Sequence, residues 1–102
     1  MRLSERLGVT TRSTTSEDEW RDFAQSLALQ LRRLRLRTGL SQEEVAHRAN
    51  LSRFIYREYE NGESRPGFPA NPALRSIIAI AQVFEVSIDE LLPSPLPDLR
   101  SR

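Results

Sequence analysis

Cysteine and lysine are both missing from this chain of 102 residues, histidine occurs once, and glycine only four times. Without cysteine there is no disulfide, no thiolate metal site and no thiol nucleophile. The lone His47 leaves too little for zinc ligation or histidine acid–base chemistry, so a solvated place on the polar side of its helix is expected. No apolar run reaches the roughly 18 residues that suggest a membrane span, and no signal-peptide pattern opens the chain. A cytoplasmic protein with no membrane role is therefore expected. The glycines fall at expected helix ends and turns rather than in a phosphate loop, and neither paired carboxylates nor a nucleophile–base pair stand out. Neither an enzyme nor a metal or cofactor is expected.

Hydrophobic residues make up 38% and charged residues 28%, a balance that folds rather than staying disordered. The length holds one domain of ordinary size. All 15 cations are arginine, set against 14 acids. Their distribution is uneven: residues 31–65 carry eight arginines and five acids, while the segments on either side each carry one acid more than their arginines. A polyanionic partner would meet the middle third, although a solvated helix face gives the same pattern.

Residues 1–15 are rich in Ser, Thr and Arg without apolar period and are expected to form a flexible tail. Ser16 and Glu19 have capping-box spacing, and Trp20, Phe23, Leu27, Leu31 and Leu34 then recur at three and four. This predicts a long first helix, stopped by Gly39. Ser41 and Glu44 open a short second helix through Val45, Ala46 and Ala49. Asn50-Leu51-Ser52 breaks it, and Ser52 caps a third helix, 53–61, closed by Gly62. Pro66, Gly67 and Pro69 predict a loop over 63–70. Asn71 as cap, with Pro72 first in the helix, predicts a fourth helix, with Leu74, Ile77, Ile78, Ala81 and Val83 or Phe84 inward. Ser87 and Glu90 box a fifth, through Leu92. Residues 93–102 form a proline-punctuated tail. Nothing alternates convincingly with period two. The expected fold is an all-α, compact five-helix bundle over 16–92, with a long first helix and flexible tails.

Two short helices joined by a tight turn form a helix-turn-helix. The ordered set Gly39-Leu40-Ser41-Gln42, Glu44-Val45-Ala46, Asn50-Leu51-Ser52, Glu60-Asn61-Gly62 and Val86-Ser87-Ile88-Asp89-Glu90-Leu91 resembles the Cro and phage-repressor (XRE-type) family over about residues 27–92. That resemblance implies a lambda-repressor-like DNA-binding domain from a bacterium or phage, acting on double-stranded DNA. It implies phosphate contacts from Gln42 and Asn61, and a structural ion pair between Arg35 and Glu60. Ser52 either adds its hydroxyl to a phosphate or simply caps its helix, the commoner use.

Helical geometry, about 100° per residue, separates the faces of the third helix. Tyr56 and Tyr59 turn toward the core with Leu51. Phe54, Arg57, Glu58 and Asn61 lie opposite, with Arg53 at the N-terminal tip and Ile55 at the core rim. A recognition helix sets its N-terminal residues at base edges. Phe54 then meets a thymine methyl, or else is covered by a neighbouring loop or subunit. Arg53 addresses guanine or a phosphate, and Glu58 accepts from cytosine or orients Arg53 or Arg57.

Three features depart from the family pattern. The 63–71 segment is longer, reaching DNA through Arg65 or covering the core with Phe68. Tyr56 replaces a smaller aliphatic residue, and the first helix begins further upstream. The expected function is sequence-specific transcriptional regulation, most simply by a repressor bound as a homodimer to a palindromic operator. The alternative is an antitoxin-like protein that holds a protein partner through the N-terminal helix extension or the C-terminal tail. Leu29 and Leu36, seven residues apart, are a candidate contact stripe.

Overall fold

The computed structural model describes residues 15–101, and the expected N-terminal tail falls almost wholly outside that range. Five α-helices and one two-stranded hairpin make up the described chain. Helix α1 spans Ser16–Thr38, and its cap is Thr15, one residue before the expected Ser16. Two overlapping boxes are available there. The Thr15–Asp18 pair forms the cap, whereas the Glu19 carboxylate accepts from the Asp98 backbone N–H at 2.7 Å. Gly39, with φ 77°, ends the helix in the left-handed region.

Helix α2 (Gln42–Arg48) starts with the expected Ser41–Glu44 box, both of its bonds made. The return bond holds the Glu44 carboxyl below its usual range, through the Ser41 backbone N–H first and its hydroxyl second. Asn50 takes a positive φ of 61° in the turn, a conformation asparagine tolerates better than most residues. Helix α3 (Arg53–Asn61) is capped by Ser52 and closed by Gly62 at φ 78°.

The segment after α3 is not the irregular loop expected. Strand β1 (Glu63–Arg65) pairs antiparallel with β2 (Phe68–Pro69), Glu63 opposite Pro69 and Arg65 opposite Phe68, with an irregular register between. Gly67 at φ 84° makes the reversal. Strands this short carry no alternation to read. Phe68 does not cover the core: it is half exposed, with the Arg65 guanidinium 4.0 Å above its ring. Ala70 is buried instead, and Trp20 Nε1 donates to its carbonyl at 2.9 Å.

Helix α4 (Leu74–Phe84) begins later than expected, with Ala73 at the cap position and no side-chain cap. Ala70 N–H donates to the Gly62 carbonyl at 2.9 Å, and Pro72 biases Asn71 toward extended backbone, which delays the helix. Its inward face is Ser76, Ile77, Ile80, Ala81 and Phe84, while Leu74 and Ile78 are exposed. Two overlapping stripes share Ile77 and Ala81, and the one ending on Phe84 is buried. Helix α5 (Ile88–Leu91) is capped by Ser87, which accepts from the Glu90 N–H. The 93–101 segment is without helix or strand and lies back along α1 where Asp98 meets Glu19.

One core joins these elements. Leu27, Leu31 and Leu34 of α1 pack with Val45, Ala46, Tyr56, Tyr59, Ile80, Phe84 and Leu91. α3 therefore lies on α1 with both tyrosines inward, and its other side faces solvent.

Candidate nucleic-acid interface

Glu60 is the buried anchor of α3, only 1% exposed. Arg35 Nε and Nη2 donate to its two carboxylate oxygens at 2.6 and 3.0 Å. The Tyr56 hydroxyl donates to Oε2 at 2.5 Å, and Gln42 Nε2 to Oε1 at 3.0 Å. Arg32 reaches the Glu60 backbone carbonyl, and the third nitrogen of Arg35 reaches the Leu40 carbonyl. A buried carboxylate is tolerable only when paired and hydrogen-bonded, and here α1, α2 and α3 all contribute donors. Burial pushes the Glu60 carboxyl up, but the bonds from Arg35, Tyr56 and Gln42 outweigh it and hold it below the usual range. The same pairing raises the Arg35 guanidinium. Burial first, and the Glu60 hydrogen bond second, push the Tyr56 phenol far up, so it stays a donor.

With the inner face so fixed, the outer face of α3 is set in space. Phe54 is 64% exposed at the first turn, flanked by Arg53 and Arg57, whose guanidinium carbons lie 5.5 and 5.9 Å from its ring centre. Arg53 also donates from Nη1 to Glu43 Oε2 at 2.8 Å. Arg57 and Asn61 are exposed and Glu58 is half-buried. Beside this face the hairpin completes a shallow concavity in which Arg32, Phe54, Arg57, Asn61 and Arg65 meet. A second concavity, at the starts of α2 and α3, brings together Arg35, Gln42, Glu43, Arg53 and Arg57. An aromatic ring between two guanidinium groups on a rigid convex helix suits apolar contact with a base edge and hydrogen bonds on either side.

A family model described as a helix-turn-helix domain matches residues 26–92, well over half of the chain. The chain belongs to that family, which is of the Cro type. No curated protein gives a match, and no solved structure does either. A helix-turn-helix domain of this kind points to a DNA-binding regulator and is typically not an enzyme. Among the described residues no helix is long and apolar enough to cross a membrane.

Within this helix-turn-helix domain the site residues read from sequence divide into two groups. Arg53, Phe54, Arg57, Glu58 and Asn61 share the outer side of α3, with Ser52 just before it. Arg35 and Glu60 meet beneath as a buried pair. Gln42 stands between the groups, since its side-chain amide points inward to Glu60. Ser52 Oγ accepts from the Ile55 N–H at 3.1 Å and so acts as a helix cap. Sequence reasoning did not find Arg32, whose guanidinium braces the end of α3, or Glu43, which holds Arg53. The only signal for the latter pair was an acid early in α2 and an arginine at the start of α3. Leu29 and Leu36 are both more than half exposed on α1.

Proposed function

We propose that the chain is a sequence-specific DNA-binding transcriptional regulator, most simply a repressor that occupies a promoter as a two-fold dimer on a palindromic operator. The observation that carries this reading is the Arg53–Phe54–Arg57 face, exposed on a helix whose opposite side is locked by the Glu60 network. α3 enters the major groove with Phe54 against a thymine methyl, Arg53 on guanine, and Arg57 and Glu58 on neighbouring base edges. In this reading Gln42, Ser52 and Asn61 contact the sugar–phosphate backbone and set the register of docking, Gln42 through the second N–H of the amide that also holds Glu60 and Ser52 through its hydroxyl hydrogen while its oxygen caps α3. Since one small reading helix makes few base contacts, two half-sites one turn apart, ~34 Å, supply the rest. The protein then works in the cytoplasm of a bacterium, or of a cell carrying a phage.

Selection of the purified chain against a random duplex library at near-physiological salt tests this reading. A two-fold symmetric motif is the expected result, and folded protein that enriches nothing would overturn it. On the selected site Arg53→Ala should cost about 1–3 kcal/mol and relax preference at one base pair. Gln42→Ala should weaken preferred and random DNA alike, with some loss of stability as Glu60 loses a donor. The rival reading is a protein-binding, antitoxin-like chain that uses this domain for autoregulation. It draws on the sequence outside the family match and on exposed Leu29 and Leu36. Enrichment only in the presence of a second protein would favour it.

A further inference from the structure

An acid on a DNA-facing surface opposes binding to every sequence, because phosphates lie everywhere along the duplex. Glu43 is such an acid. It lies early in α2 and lines the same concavity as Arg35, Gln42, Arg53 and Arg57. Its Oε2 accepts from Arg53 Nη1 at 2.8 Å across the turn, and both side chains are about half exposed or more. Neither makes another ion pair among the described residues.

Arginine offers five N–H donors in a planar fork. Holding one Nη leaves donors of the fork for a bidentate contact with guanine. The Phe54 ring lies beside the same guanidinium, whose central carbon is 5.5 Å from the ring centre. The side chain is thus tethered at one nitrogen and within cation–π range of an aromatic ring, at the tip of the helix that would enter the groove. An untethered arginine at this position has the reach and the rotamer freedom to settle on any nearby phosphate, a contact that carries no sequence information.

We propose that Glu43 is a positioning residue that makes Arg53 discriminate between sequences, by keeping its guanidinium aimed at a base edge and away from the phosphates. The inference rests on the reading of α3 as the DNA-reading helix. Glu43 lowers affinity for DNA in general and returns it selectively at the preferred site, where Arg53 finds its guanine already oriented.

The test uses the full chain in five forms: wild type, Glu43→Ala, Glu43→Gln, Arg53→Ala, and the Glu43→Ala/Arg53→Ala double variant. Each is titrated over a range of salt with the duplex recovered by selection and with a scrambled duplex of equal composition. Because the pair is exposed, folding should be unaffected, and circular dichroism checks this. Glu43→Ala is expected to tighten binding to scrambled DNA and to reduce the preferred-to-scrambled ratio about two- to five-fold, the range of an exposed ion pair. Its log–log salt slope on scrambled DNA should steepen by about 0.9, one added phosphate contact. Glu43→Gln loses the same charge but keeps an acceptor oxygen, so it should retain more of the ratio. In the Arg53→Ala background, Glu43→Ala should no longer change the ratio. Equal tightening on both duplexes by Ala and Gln variants, or an unchanged effect without Arg53, would overturn the proposal. A wild-type chain that prefers no duplex would remove the DNA-reading proposal itself, and this inference with it.

Discussion

Glu60 is the residue on which the position of α3 depends, and its environment fixes what happens when a partner is removed. Arg35→Ala takes away both of its short bonds from the guanidinium and leaves a buried carboxylate with Tyr56 and Gln42 alone. Breaking a buried pair on one side costs about 3 kcal/mol or more, a large share of the stability of a small domain. Urea unfolding at pH 7 should register that loss, and a change below about 1 kcal/mol would mean the pair is effectively solvated. The direction of the pH dependence follows from the lowered carboxyl pKa of Glu60. Folding holds the charged form, so its contribution is fully present above the unfolded carboxylate value of about 4.3 and disappears as the pH falls below it. Wild type should lose stability on acidification below pH about 4, whereas Glu60→Gln, weaker at pH 7, should show a shallower acid limb. Tyr56 was legible as a core position from the helical angle alone, but its role as donor to Glu60 was not. A phenol and a carboxylate four residues apart are within reach on any helix, and only their common burial shows that this pair is bonded.

At the scale of elements, turns and caps decided what could be read. The helix-turn-helix is visible in the chain because each boundary has its own chemistry: Gly39, the Ser41–Glu44 box, Asn50, Ser52 and Gly62 each meet an end of a helix. Where two signals compete, the sequence does not choose between them. Thr15 and Ser16 are alternative caps, and α4 has two overlapping apolar stripes. Only the contacts of Glu19 with Asp98, and of Phe84 with the core, separate these alternatives. The hairpin was invisible for another reason, since three-residue and two-residue strands have no period. Its joint with α3 can be tested through Gly62, whose φ of 78° places it in the left-handed region. A Cβ there would lie 2.7 Å from Gln25 Nε2, while one at Gly39, φ 77°, would meet nothing within 4 Å. The Gln25 amide is the far end of a flexible, exposed side chain and can move aside. Both Gly→Ala changes should therefore cost a similar amount, about 1–2 kcal/mol from backbone strain. A much larger loss at Gly62 in thermal melts would show that Gln25 is held.

For the whole molecule, the arrangement of two reading helices decides more than the affinity of one. The proposed dimer requires half-sites on one side of the duplex. Inserting about five base pairs between them, half a helical turn, should carry the second half-site to the far side. Binding should then fall to that of an isolated half-site, and unchanged binding would mean that each copy acts alone. The outer face of α3 could be anticipated residue by residue from 100° steps, but of its setting only Arg65 could be, as one of two uses of the 63–71 segment. Arg32, Glu43 and Arg65 come from α1, α2 and the hairpin, and only the tertiary fold brings them beside it. The same fold places the chain's one tryptophan at a seam. Trp20, with Phe23 5.7 Å away, bonds across from α1 to the carbonyl of Ala70, where the hairpin ends. Its indole is thus a built-in optical gauge of that seam. If the hairpin lifts from α1 while the helices hold, emission should shift to longer wavelength with no change in far-ultraviolet circular dichroism, so local opening can be told from global unfolding without any label.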